Sequence, residues 1–275
     1  MTAPVSKATA PAAASRPAII VLAGDRGPGD PLAASAGVAG KVLVPVAGRP
    51  MLAHVLDAAR GLGDDVAIRL VCPARPEYTA VAEPFGGCAG SLQTVEPASG
   101  PAASVAAALA TLPADGPVLL LTGDHPLLTR EWLRGFLAAA EATGADAVVG
   151  LADADAVRAR FPEGRRTRYR FADRSVCGTN LFLFRTAQGR RVVETWQAFE
   201  RDRKKPWRIV GRLGPVDLLR YLLRRLSLAG AFEALSRRLD ARAAPVIVPW
   251  PEAAVDVDTP ADKVLVESVF RQRAS

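Results

Sequence analysis

"GPVLLLTGDHPLL", residues 116–128, is the stretch on which the rest of the chain is read. Its run of branched apolar residues stops at Gly123, as in a strand buried on both faces, and Asp124 and His125 stand on its end. Three readings of Asp124 open here: a helix cap, a structural aspartate, or half of a metal site. Capping is the weakest, because the next helix is expected to start at Thr129, and Pro126 holds His125 in an extended conformation. The C-terminal end of a buried strand is where open α/β sheets carry their sites.

Working outward, the same pattern recurs. "AIIVLAG" (18–24) and "VAIRLVCP" (66–73) read as strands before the quoted one, and "ADAVVGLAD" (145–153) as one after it. Helices are expected over Met51–Leu62, 100–112 and 129–144. This alternation predicts an α/β three-layer sandwich with a mostly parallel central sheet. Beyond Asp153 the rhythm changes. Residues 166–185 read as two β runs turning near Ala172–Arg174, followed by helices at Val192–Arg203 and Pro215–Arg242 with a break near Gly230. A strand at 244–250 and a helix at 259–270 close the pattern; Thr259 is its expected cap, with Asp262 in the capping-box position. The expectation is one domain over 18–275, with a basic helical insert at about 185–242, behind a flexible tail over 1–17.

Composition narrows the function classes. The chain has 275 residues, and its formal charge of +7 is unevenly placed. Residues 185–242 carry 15 Arg and Lys against 6 Asp and Glu, which leaves the remainder slightly acidic. A basic segment of this kind suits nucleotide phosphates, an anionic lipid surface or a nucleic acid, or is simply a solvated helical face. Nucleic acid is not expected as a partner, since the stretch lacks interleaved exposed aromatics. Cys72, Cys88 and Cys177 have no metal-knuckle spacing and leave an odd one over, which fits a reducing, cytoplasmic setting. No apolar run reaches the length of a membrane span.

Two further groups carry chemistry. The loop "LAGDRGPGDPLAASAGVAGK" (22–41) follows the first strand with glycines that admit a ligand close to the backbone, and Arg26 and Lys41 bracket it. It matches neither the dinucleotide fingerprint nor the P-loop. "VDVDTPADK" (255–263) sets Asp256 and Asp258 on one face of an extended end, with Asp258 the first choice to meet Asp124. Carboxylates from two separated strand ends are what a hard cation such as magnesium asks for. Turn and cap residues are the alternative. His54 is expected on a helix surface, and His125 as a pocket or core histidine more than a base.

"LAG-x-R" near the start, "K-x-L-x-P-V-x-G-R-P-ML" at 41–52, "LTGDHPLL" and the terminal "DVDTPAD", taken together in this order, resemble the MobA-like nucleotidyltransferases. These belong to the glycosyltransferase-A-like superfamily, with its nucleotide-diphospho-sugar transferase fold. The resemblance covers roughly Ala18–Asp153 and Cys177–Phe184 and resumes at Pro245–Phe270. It implies Mg2+-dependent transfer of a nucleoside monophosphate from a triphosphate to a phosphorylated small acceptor such as a sugar, polyol or alcohol phosphate. Nucleotide contacts are implied for Leu22, Ala23, Gly24, Arg26, Lys41, Pro73, Ser99, Gly100, Ser104, Thr122 and Gly123. Of these, Arg26 and Lys41 join Asp124 as the catalytic set. Asp124 and Asp258, with Asp256 as rival, are implied as metal ligands. His125 and Asn180 are assigned to the acceptor; Lys204 and Lys205, with Arg208 and Arg212, are expected to clamp an anionic acceptor on the ground of their charge alone. "ASGPAASVAAAL" (98–109) is similar to a segment of the cytidylyltransferases of isoprenoid precursor synthesis, which favours CTP slightly. The first loop is longer than the compact family form, and the arginine-rich insert is larger than a minimal member needs. The rival expectation is a non-catalytic protein on this scaffold, binding nucleotide or, through the basic helices, an anionic membrane surface. The chain is expected to act as a monomer or homodimer.

Overall fold

The computed structural model describes residues 16–24, 29–88, 90–164, 166–202 and 214–274. In chain order its elements begin with β1 (Ala18–Leu22) and α1 (Pro31–Ala36). The short strands β2 (Pro45–Val46) and β3 (Arg49–Pro50) lead into α2 (Met51–Arg60). Then come β4 (Ile68–Val71), α3 (Pro76–Ala82), β5 (Leu92–Val95), α4 (Pro101–Leu109) and β6 (Val118–Thr122). After α5 (Arg130–Ala142) and β7 (Ala147–Asp153) lies α6 (Ala154–Arg160), then the hairpin of β8 (Tyr169–Arg170) and β9 (Ser175–Phe184). Among the described residues the helices α7 (Ala187–Arg190), α8 (Val192–Asp202), α9 (Pro215–Leu222) and α10 (Leu228–Leu239) follow. The described chain closes with β10 (Ala243–Val248) and α11 (Pro260–Ala274).

The main sheet runs β10-β7-β9-β6-β1-β4-β5, with β8 added on β9. Around β1 all pairing is parallel, and the strands end together: Leu22 lies opposite Thr122 on one side and Val71 on the other. Val71 in turn lies opposite Val95. β9 enters antiparallel between β6 and β7. Strand side chains alternate between two apolar layers, which makes the sandwich three layers thick. Ile19, Val21, Leu119 and Leu121 face Met51, Leu52, Val55 and Leu56 of α2 with Leu133 and Phe136 of α5. Ile20, Val118 and Leu120 face Val105 and Ala108 of α4 and Val193 of α8. Each such side chain taken wholly from water contributes roughly 1.5–3 kcal/mol, so the central strands are the rigid part on which the site stands.

Several elements differ from the sequence reading. β5 and α3 were not expected. The strand "LQTV" is a half-polar edge strand without the apolar run of its neighbours, and α3 is only seven residues long, started by Pro76. α6 was also not expected; it begins at once because Asp153 accepts hydrogen bonds from the Asp155 and Ala156 backbones. Part of the first glycine loop is helical, α1, capped by Asp30. The helical break expected near Gly230 lies earlier, at 223–227: Arg224 has φ 55°, and the Ser227 hydroxyl accepts from the Gly230 backbone inside the first turn of α10. His54, expected on a helix surface, is half-buried. Its Nε2 lies 2.9 Å from the Val46 carbonyl oxygen, and its ring packs on Phe270 at 4.8 Å. The expected turn near Ala172–Arg174 is present, closed by Phe171 N–H donating to the Arg174 oxygen. Among the described residues no helix is long and apolar enough to cross a membrane.

Candidate functional site

The site lies along the edge where β1, β4, β5 and β6 end. Ala23, the first residue beyond β1, donates to Val71, and Gly123 donates to Leu22, so the two strand ends are locked side by side. A Cβ on Gly123 would stand 3.2 Å from Val42 Cγ1 and 3.3 Å from the Leu22 oxygen. Glycine therefore lets the 3-10 turn that starts at Lys41 approach the end of β6. Lys41 is delivered by that turn into the space beside Asp124.

Lys41 Nζ donates to Asp124 Oδ2 at 2.7 Å and to Asp258 Oδ1 at 2.6 Å. The other Asp124 oxygen accepts from Thr122 Oγ1 at 2.6 Å. Burial on its own would raise the Asp124 pKa; the charges of His125 and Lys41 and the bonds from Lys41 and Thr122 bring it below the usual carboxylate range. For Lys41, burial works against the charge, but Asp124 and Asp258 more than offset it and raise the pKa. Asp124 and Lys41 are thus both ionised at neutral pH, in a mostly buried position.

Asp258 reaches this cluster from a stretch that is not a strand end. β10 stops at Val248, a 3-10 turn at Pro251–Ala254 intervenes, and the chain then runs extended past Asp124. Val255 and Val257 are fully buried, so the alternating aspartates both face outward, as the spacing predicts, but they take different partners. Asp258 joins Lys41, while Asp256 pairs with Arg166 Nη1 at 3.0 Å. Burial, with the like charges of Asp124 and Asp258, raises the Asp256 pKa against the pull of His125 and Arg166. Thr259 and Asp262 form the expected capping box at the start of α11.

Among the described residues no group of three or more His, Cys, Asp or Glu is arranged to hold a metal ion. Asp124 and Asp258 nevertheless offer hard oxygens with a common focus, now filled by an ammonium. That pair fits magnesium, which keeps several waters and takes one or two carboxylates beside substrate phosphates.

Asn180 reaches the same edge through a β-bulge. The register of β7 and β9 shifts between Val149 and Leu151, and Asn180 sits at φ 53°. Its Nδ2 lies 2.9 Å from Nε2 of the buried His125, so these two residues assigned to the acceptor do meet. Beside them opens a cavity of about 220 Å3, lined by Arg166, Tyr169, Gly178, Asn180, Asp256 and Asp258 among others. Arg166, Tyr169 and Gly178 were not singled out in the sequence. The alternating "RTRYR" at 166–170 was the signal for the first two, but nothing local says that this segment folds back over the terminal aspartates.

On the other flank, Pro97 packs near Gly24, and Pro73 follows the end of β4. Ser104 is buried and accepts from the Ala98 backbone at 2.9 Å, holding the turn that carries the exposed Ser99 and the half-exposed Gly100 just beyond β5. Arg26, Lys204 and Lys205 lie outside the described residues, as do Arg208 and Arg212 of the same basic insert. Cys72 and Cys177 are buried, and burial pushes the Cys72 thiol up to about 11, so neither is poised as a nucleophile.

A mostly parallel sheet whose strand ends carry the Lys41–Asp124–Asp258 cluster, with one antiparallel strand beside it, is the glycosyltransferase-A-like fold of nucleotide-diphospho-sugar transferases. Residues 19–251 match the MobA-like NTP transferase domain, and the chain belongs to that family, a family of nucleotidyltransferases. A hypothetical transferase from Thermus thermophilus is 33% identical, with a TM-score of 0.75 over 90% of this chain and 100% of that one. The bifunctional protein GlmU of Stenotrophomonas maltophilia is 45% identical over 114 residues, 39% of this chain but only 24% of its own length. A 4-diphosphocytidyl-2C-methyl-D-erythritol synthase from Anaerococcus prevotii shares the fold at 16% identity and a TM-score of 0.54, covering 93% of this chain and 96% of that one.

Proposed function

We propose that the protein transfers a nucleoside monophosphate from a nucleoside triphosphate to a phosphorylated small acceptor, a sugar, polyol or alcohol phosphate, and releases pyrophosphate. The observation that carries this reading is the Lys41 ammonium shared by Asp124 and Asp258 at the strand ends. An acceptor phosphate oxygen attacks the α-phosphorus, the bond to the β-phosphate oxygen breaks, and pyrophosphate leaves. The acceptor is already anionic, so no base is required, and the protein contributes in-line positioning and charge stabilisation. Asp124 and Asp258 would hold Mg2+, which when bound supplies neutralisation of phosphate charge. Lys41, with Arg26 on the loop, would supply positive charge to the triphosphate. The nucleotide lies over Leu22–Gly24, Pro73, Ser99 and Gly100, and the acceptor over His125, Asn180 and the cavity beside them. CTP is the first triphosphate to try, because of the small-residue segment at 98–109. The reading takes 18–275 as one domain with its helical insert, working in the cytoplasm as a monomer or homodimer.

The test is pyrophosphate release with CTP, GTP, ATP and UTP against a panel of sugar, polyol and alcohol phosphates. Absence of turnover with every pair, together with no triphosphate raising the unfolding temperature, overturns the reading. One observation favours a membrane contact in addition. Val216, Leu219, Leu222 and Leu223 are exposed on and just after α9, with Arg220, Arg224 and Arg225 among them. Retention on anionic but not neutral vesicles, lost in Leu219→Glu, is the expected result; equal retention on both, or none, removes it.

A further inference from the structure

We propose that Arg166 is a positioning residue for Asp258, holding the backbone on which that carboxylate is carried into the cluster with Lys41 and Asp124. This rests on the reading of that cluster as the reactive centre. Arg166 comes from the segment before β8, 90 residues or more from its partners in sequence, and its side chain is only 11% exposed. It donates through Nη1 to Asp256 Oδ1 and through Nη2 to the Asp256 carbonyl at 3.1 Å and to Asp262 Oδ1 at 2.7 Å.

Asp262 is thereby oriented, and its second oxygen accepts from the backbones of Asp258 at 3.3 Å and Thr259 at 2.9 Å. Between these points Val257 N–H donates to the Asp124 carbonyl at 3.0 Å. Every residue from Asp256 to Thr259 is therefore held by its main chain, and three of the four holds run through Arg166 directly or through Asp262. The Asp258 carboxylate itself stays 46% exposed, with Lys41 as its side-chain partner. A fixed backbone under an accessible carboxylate is the arrangement of a preorganised ligand, in which supporting bonds rather than the carboxylate's own contacts set its place. A guanidinium is suited to this, since its planar fork serves two carboxylates and a carbonyl at once, which an ammonium on a flexible stem does not reproduce. Burying a charge between two carboxylates is a poor means of adding stability, whereas it does fix one arrangement of the segments it joins.

The experiment reads Lys41 directly. Wild type, Arg166→Met, Arg166→Lys and Asp258→Asn are trace-labelled with acetic anhydride, modification of Lys41 is quantified by mass spectrometry, and thermal unfolding is recorded alongside. Arg166→Met is expected to raise Lys41 labelling several-fold, to the level of Asp258→Asn, with Arg166→Lys between it and wild type. Unchanged Lys41 labelling in Arg166→Met overturns the proposal even if the unfolding temperature falls, because the residue is then only structural. Unchanged labelling in Asp258→Asn overturns it as well. If Arg166→Met does not fold, Arg166→Lys decides by the same criterion. Where turnover is measurable, Arg166→Met lowers kcat about tenfold or more with little change in the KM for triphosphate, as a misplaced group does. Failure to find any substrate pair counts against the proposed function alone and leaves the labelling result to judge Arg166.

Discussion

The two halves of the site are built in different ways. On the β1-β4-β5 side, the positions proposed to meet the nucleotide sit just past parallel strands that end in register, so Ala23, Pro73 and Gly123 share one edge by regular geometry. On the β9 side the sheet turns antiparallel, and Asn180, Arg166 and Asp258 arrive through a bulge, a hairpin and an extended connection. Regular pairing places backbone groups well but presents few side chains. Irregular segments place side chains well, but each needs its own fixings. Lys41 and Asp124 stand at the join.

The largest expected effect tests that join. Asp124→Ala and Lys41→Ala should each lower pyrophosphate release by about a hundred- to a thousandfold while circular dichroism shows the fold retained. Full turnover in either variant breaks the mechanism. Next comes the bulge. Asn180→Gly keeps the left-handed backbone and removes the amide, whereas Asn180→Val also strains the backbone, at a cost of about 1–3 kcal/mol. Both should raise the acceptor KM, and only the valine variant should lower the unfolding temperature. Equal loss of stability in the two would show that the bulge is held by the His125 contact and not by its conformation.

A third prediction concerns pH. Against burial, the charges of His125 and Lys41 and the hydrogen bonds from Lys41 and Thr122 hold the Asp124 pKa below the usual carboxylate range, so the part of the stabilisation that Lys41 supplies is complete above that range. It is lost as pH falls through the lowered value, because the protonated carboxyl no longer needs the ammonium. The stability penalty of Lys41→Met should therefore be largest near neutral pH and shrink in acid. Urea unfolding of both proteins at pH 7 and near pH 3 measures it, and a constant difference contradicts the ion pair. The smallest effect belongs to the regular half. Gly123→Ala forces a Cβ against Val42 and the Leu22 carbonyl, and should cost about 1 kcal/mol, with a modest rise in the triphosphate KM. No change in either would mean that the strand ends yield more readily than their register suggests.

Much of the regular half was legible in the chain itself. Buried strands announce themselves as apolar runs closed by glycine, and "AIIVLAG", "VAIRLVCP" and "GPVLLLTGD" were placed with Asp124 beyond the last of them. β5 was missed because an edge strand needs no apolar run, and Gly123 was named without its reason, the close approach of Val42. In the other half the hairpin was legible, but its insertion between β6 and β7 was not, nor was Arg166. The alternation of aspartate and valine over 255–258 indicated two carboxylates on one face, and only the fold separated them by partner.

The sequence by itself determined the periodicities: which runs are buried, where they stop, which acids and bases stand at the stops, and to which family their order belongs. These are local properties, set by solvent exclusion and backbone sterics within a few residues. Tertiary structure decided which charges neighbour each other. Lys41 and Asp258 are 217 residues apart yet share a 2.6 Å hydrogen bond, and Arg166 reaches Asp262 across 96. Such pairings depend on how strands order themselves in the sheet and how the hairpin packs over it, and a charge on the chain carries no mark of the partner it will meet.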